Sequence, residues 1–148
     1  MSIEQDVARE LNRRILVLAR QHDHRALLEI DGDPETERLL GLLSDDLASA
    51  ALLHLQGARA WRRRKTEANG RRLAEARTAL DGFDLPRARS LLLRIEEEFL
   101  SPAIAAERDA LLIEFEARSM ENEQLQDSAD QIIDEYTPRW RRWLRKRR

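Results

Sequence analysis

The sequence predicts an all-α protein, a helical bundle or an irregular stack of helical hairpins with five main helices and a short basic C-terminal helix. Three observations predict it. The 148 residues include 24 Leu and 19 Ala against only 2 Val and 4 Thr, a bias toward side chains that lose little freedom in a helix and away from branched strand formers. Apolar residues recur every three or four positions over most of the chain. Between those stretches stand Ser, Asp, Asp-Gly and Ser-Pro signals of the kind that cap, stop and restart helices.

Taken in order, Ser2 and Gln5 have capping-box spacing, and Ile3, Val7, Leu11, Ile15, Leu18 and His22 follow at helical intervals. The spacing predicts one amphipathic first helix, stopped by Asp31-Gly32-Asp33-Pro34. Asp33 and Pro34 suit the cap and first turn of a second helix, with Glu35 and Glu37 at its positive end and Leu39, Leu40, Leu42 and Leu43 as its apolar face. Ser44-Asp45-Asp46 caps a third. Its run from Leu47 to Trp61 is nearly all Ala and Leu, which predicts burial on more than one side. Asn69-Gly70 reads as a break, after which Leu73, Ala76, Ala79 and Leu80 resume until Asp81-Gly82. Asp84 to Leu100 reads as a further helix, with Ala88, Leu91, Leu92 and Ile95 inward. Ser101-Pro102 then opens a helix that meets no breaker before Thr137-Pro138, a length of about 50 Å.

That last stretch carries Ile104, Leu111, Phe115, Leu125, Ala129, Ile132 and Tyr136 at a period near 3.5, interrupted by polar residues from Arg118 to Asn122. Such a stripe packs in its first half and projects or pairs in its second. The length suits one domain that buries about two-thirds of its unfolded surface. The expected organisation is a single helical domain over 1–136, with a long acidic helix at about 102–136, and a basic Trp/Arg-rich tail over 137–148.

Within residues 69–102, the stretch from Leu73 to Ile95 resembles one tetratricopeptide-type helical hairpin: small Ala76 and Ala79 on the first helix, Gly82 and Asp84 at the turn, then Ala88, Leu92 and Ile95. It lacks the usual aromatic residues of the first helix and has one residue more in the turn. The resemblance implies a groove for a partner peptide or helix and no chemistry. Asp31-Gly32-Asp33-Pro34 with Leu39-Leu40 also echoes Asp81-Gly82-Phe83-Asp84 with Leu91-Leu92 further on.

The net charge of -2 conceals a strong polarity. Residues 137–148 carry seven basic side chains and no acid, residues 59–72 carry seven against Glu67, and residues 96–135 hold 13 acids against Arg108 and Arg118. Each basic patch contains tryptophan. In the tail, Trp140, Trp143, Leu144 and Arg147 share one face of a helix starting at Pro138, and Arg139, Arg141, Arg142, Arg145, Lys146 and Arg148 complete the cationic surface. This segment is the candidate contact for a protein partner, for nucleic acid or for an anionic membrane. Folding back onto the acids at Glu121, Glu123, Asp127, Asp130, Asp134 and Glu135, in the same chain or a second copy, is the structural alternative. Trp61, Arg62, Arg63, Arg64 and Lys65 form a secondary basic patch, in which Trp61 reads as a core-edge indole with arginine stems beside it.

The chemistry excluded is extensive. There is no Cys, hence no disulfide, thiolate metal site or thiol nucleophile. His22-Asp23-His24 points its two imidazoles to different sides of a helix and has no third ligand at a suitable spacing. His54 follows a Leu/Ala run without a serine or carboxylate partner. Glu96-Glu97-Glu98 and Asp45-Asp46 read as solvated faces or caps. The five glycines form no phosphate loop, and no Glu-x-x-His pair marks a di-iron bundle. No apolar run is long enough to cross a bilayer, and the start of the chain lacks a signal-peptide pattern. The expectation is a non-catalytic, cytoplasmic interaction or adaptor protein without cofactor or small-molecule substrate, binding a protein partner and capable of homo-oligomerisation, with the tail as a second contact.

Overall fold

Ser2 opens α1 (Ile3–Arg20) by accepting the backbone N–H of Gln5 at 3.2 Å, and Glu4 and Asp6 complement the positive helix end. The computed structural model describes residues 2–136, apart from the side chains of Asp134 and Tyr136. The basic contact expected at Arg139, Trp140, Arg141, Arg142, Trp143, Arg145, Lys146, Arg147 and Arg148 therefore lies outside the described residues. After α1 come α2 (His24–Gly32), α3 (Pro34–Leu40), α4 (Asp45–Asp81), α5 (Leu85–Leu93), a 3₁₀ turn at Glu97–Phe99 and α6 (Pro102–Tyr136). The protein is all-α, and there is no strand among the described residues.

The chain divides into two compact units with the boundary between Ala68 and Asn69, and α4 contributes its first part to one and its last part to the other. The first unit packs Ile15, Leu27, Ile30, Leu40, Ala51, Leu55 and Ala58 into one core, drawn from α1, α2, α3 and α4. Thr36 donates its hydroxyl to the Ile30 carbonyl at 2.5 Å, satisfying a buried group where α2 gives way to α3. Arg59 grips Asp31 with two guanidinium donors, one of them at 2.7 Å, which ties α4 to α2. The second unit packs Leu73, Ala79, Leu80, Ala88 and Leu111, with Leu92, Ile95, Ile104 and Phe115 around them.

The two units repeat one design at a spacing of 61 residues. In the first, α1 ends at Arg20, His22 takes a left-handed backbone (φ 53°), Asp23 caps and α2 begins at His24. In the second, α4 ends at Asp81, Phe83 is left-handed (φ 59°), Asp84 caps and α5 begins at Leu85. Buried positions correspond as well: Ala8, Asn12, Ile15, Leu27 and Ile30 match Asn69, Leu73, Ala76, Ala88 and Leu91. The counterpart of the 81–84 turn is thus 20–23. It is not 31–34, where Gly32 is helical and Asp33 is extended (φ -77°, ψ 124°).

Three expected boundaries are corrected. The single first helix is two, because Asp23 accepts the Ala26 N–H at 3.1 Å and starts α2 afresh; polar residues at 21–24 resemble an exposed helix face when no partner is in view. Asn69-Gly70 is no break. Asn69 is fully buried inside α4, donating to the carbonyls of Glu96 (2.8 Å) and Phe99 (3.2 Å) and accepting the Glu96 N–H at 3.0 Å. Those bonds offset the low helix propensity of Asn. The same anchoring ends α5 at Leu93 instead of Leu100: Arg72 donates to the Arg94 carbonyl at 3.0 Å, and the chain turns so that Phe99 is buried.

Candidate interaction site

α5 is only nine residues long, so its geometry depends on its ends. Asp84 accepts the Arg87 N–H at 3.2 Å, and Pro86 suits the first turn. Ala88 and Leu91 are buried, Leu92 and Ile95 are partly buried, and Leu93 projects with 75% of its surface exposed. Across from them α6 presents Leu112 and Phe115 after the buried Leu111.

Between the two helices lies a cleft of about 480 Å³ lined by Leu92, Leu93, Ile95, Leu112 and Phe115. Arg89, Arg108, Glu97 and Glu116 give it a mixed-charge rim. Arg108 is held by Glu97 and Asp109, so that side of the rim is pre-ordered. A second depression of about 590 Å³ shares Arg89, Leu93 and Phe115 with the first and reaches Asn122. The apolar trough thus runs along α6 to the start of its final stretch, where every residue from Met120 to Ile133 is exposed.

Arg118 marks that transition. It donates to the Leu80 carbonyl, lies 3.7 Å from Asp81 and stands 5.5 Å from the Phe83 ring centroid. One cation thereby caps α4 and stands over the exposed aromatic ring of its turn. Nearby, Arg77 donates to Glu114 at 2.5 Å; that hydrogen bond, partly opposed by desolvation and aided by the charges of Arg77 and Arg118, holds the Glu114 carboxyl below its ordinary range.

In the first unit Trp61 is partly buried. His24 stacks on it with centroids 5.0 Å apart and planes 20° apart, and Arg25 and Lys65 stand 5.5 and 5.9 Å from its centroid. The structure therefore brings Trp61 and Lys65 together, one helical turn apart, and adds Arg25 and His24 from α2. Arg62, Arg63 and Arg64 are exposed and are not the cations over the ring. Adjacent residues on a helix point in different directions, which a run of basic letters does not reveal. Sequence reasoning missed His24 and Arg25 as its neighbours for the same reason that it missed the α1–α2 turn. It also missed the cleft rim at Arg89 and Arg108, whose meeting depends on how α5 and α6 pack.

Among the described residues, no group of three His, Asp or Glu side chains is placed to hold a metal ion. No described helix is long and apolar enough to cross a membrane. Fold and surface together define an all-α protein with an apolar trough that leads to a helix end exposed among the described residues. Comparison with protein-family models, curated proteins and solved structures finds no match to this chain.

Proposed function

We propose that this chain is a non-catalytic helical interaction protein that binds a protein partner through its second unit, with the basic tail as a further contact. The observation that carries this reading is the final stretch of α6, about four turns of helix with every described side chain exposed from Met120 to Ile133. Most helical stability comes from packing an apolar face, and this face, including Leu125 at 70% and Ile132 at 56% exposure, belongs to neither of the described core clusters. The trough at Leu93 and Phe115 leads into it, so one partner helix can follow both.

The test is affinity capture from native lysate with the full chain, with a chain lacking residues 137–148, and with Leu93→Asp. Leu93 is exposed, so the substitution leaves the core intact. A specific protein retained by the full chain and lost with Leu93→Asp supports the reading; a chain that retains no specific protein in any of the three forms and binds no second copy of itself defeats it.

A second reading, binding to an anionic surface through the Trp/Arg tail, is favoured by the exposed Arg62, Arg63 and Arg64 beside the cation-flanked Trp61. Each basic residue near an anionic membrane adds about 1 kcal/mol, and nucleic-acid affinity through such residues falls steeply with salt. Liposome flotation and a nucleic-acid shift assay over a salt series discriminate between the two surfaces. Binding unchanged by removal of 137–148 rules this reading out.

A further inference from the structure

We infer that the partner of the α6 end is a second copy of this chain, paired along residues 119–136 as a parallel two-stranded coiled coil. The inference rests on the interaction reading above and names its partner.

The stripe on α6 follows a seven-residue repeat. Phe115, Asn122 and Ala129 occupy one core position of that repeat, and Leu111, Arg118, Leu125 and Ile132 the other. Up to Arg118 this seam is used inside the second unit: Leu111 is buried, Phe115 packs beside it and Arg118 reaches α4. Beyond Arg118 the same seam continues on the same helix with Asn122, Leu125, Ala129 and Ile132 exposed. The pattern continues, and the described core does not follow it. Because α6 is already anchored through residues 102–118, its extension needs no new nucleus, only propagation.

Charge and the core asparagine select how the two copies pair. Residues 119–136 hold six acids, Glu121, Glu123, Asp127, Asp130, Asp134 and Glu135, and no base. None stands at a core position, and Glu123, Asp127, Asp130 and Asp134 occupy repeat positions away from the seam. Only Glu121 and Glu135 flank it. In a parallel pair Glu121 faces Gln126 of the partner subunit and Ser128 faces Ile133 of the partner subunit, so no like charges meet. In an antiparallel pair Glu121 faces Glu135 of the partner subunit, and the Asn122 amide lies against Ile132 of the partner subunit. Parallel pairing instead stacks Asn122 on Asn122 of the partner subunit. Two amides can bond each other there, and a single core asparagine of this kind sets register and a two-stranded state at some loss of stability. The small Ala129 and the shortness of the seam make the pairing weak, so it depends on protein concentration.

The experiment uses the full chain. Sedimentation equilibrium over a concentration series should give a mass rising from 17.3 kDa toward twice that value, and Leu125→Glu/Ile132→Glu should restore the monomer with the helical circular-dichroism signal of the two units kept. Since the chain has no cysteine, Asn122→Cys should oxidise to a disulfide dimer, which antiparallel pairing would not permit because the two sulfurs would lie at opposite ends of the overlap. Added salt should tighten the dimer by screening the acids. A dimer that loosens with salt is held by ion pairs elsewhere and overturns the proposal, as does a wild-type chain that stays monomeric throughout. If a monomeric chain still captures a specific protein in a manner lost on Leu125→Glu/Ile132→Glu, the homodimer fails and the interaction reading survives. If it captures nothing, both fail.

Discussion

Asp23 and Asp84 do the same task in two turns 61 residues apart, with nearly identical backbones (φ -84°, ψ 76° and φ -87°, ψ 75°) and the same acceptance of a backbone N–H three residues on. Each caps a nine-residue helix that cannot persist without its neighbours. Asp23→Ala and Asp84→Ala are each expected to cost about 1 kcal/mol, within the range for lost N-caps. Urea denaturation of the two variants checks this, and a loss at one site only would show that the two turns are not energetically equivalent.

Asn69 carries a larger penalty. Its amide satisfies two carbonyls and one N–H of the 96–99 turn from a fully buried position. Asn69→Ala improves helix propensity yet leaves those groups unsatisfied, so a net loss of about 2 to 3 kcal/mol is expected. Faster amide exchange at Glu96 in the variant would locate the damage, whereas an unchanged midpoint would remove Asn69 from the account of how α5 ends.

Gly57 lies in the interior of α4, and a Cβ added there meets nothing within 4 Å. Gly57→Ala is expected to stabilise the protein by about 0.5 to 1 kcal/mol, since alanine restricts the unfolded chain and favours the helix. Thermal unfolding measures it directly.

Glu114 supplies a pH dependence whose sign is determined. Its carboxyl sits below its ordinary range in the folded state because Arg77 donates to it, an effect partly opposed by desolvation and aided by the charges of Arg77 and Arg118. Its contribution is therefore present above the unfolded-state value and fades as pH falls through the folded one. Both partners are substantially exposed, so the contribution is small. Glu114→Gln should be less stable than the wild type at neutral pH and indistinguishable from it in strong acid; a gap that widens on acidification would contradict the assignment.

The helical class and the long last helix with its 3.5-residue stripe were legible in the amino-acid order, because both follow from local propensity and period. Ser2, Asp33 and Ser101 were legible as helix starts for the same reason: each accepts a backbone N–H two or three residues on. Local rules failed where a distant partner decides. Asn69-Gly70 has the composition of a break and becomes continuous helix because the 96–99 turn bonds to it. Asp81-Gly82 placed the turn correctly, yet the left-handed residue is Phe83, its ring in cation–π contact with Arg118 from another helix.

Taken alone, then, the sequence determined that this protein is helical, where most helices begin, and that α6 carries an apolar seam and an acidic surface, since these depend on residues within a few turns of one another. Only the tertiary structure decided that two units repeat at 61 residues, that Trp61 keeps company with His24 and Arg25, and that the seam of α6 is packed as far as Arg118 and, among the described residues, exposed beyond it. Burial depends on which segments meet, and segments far apart in the chain meet only once it has folded.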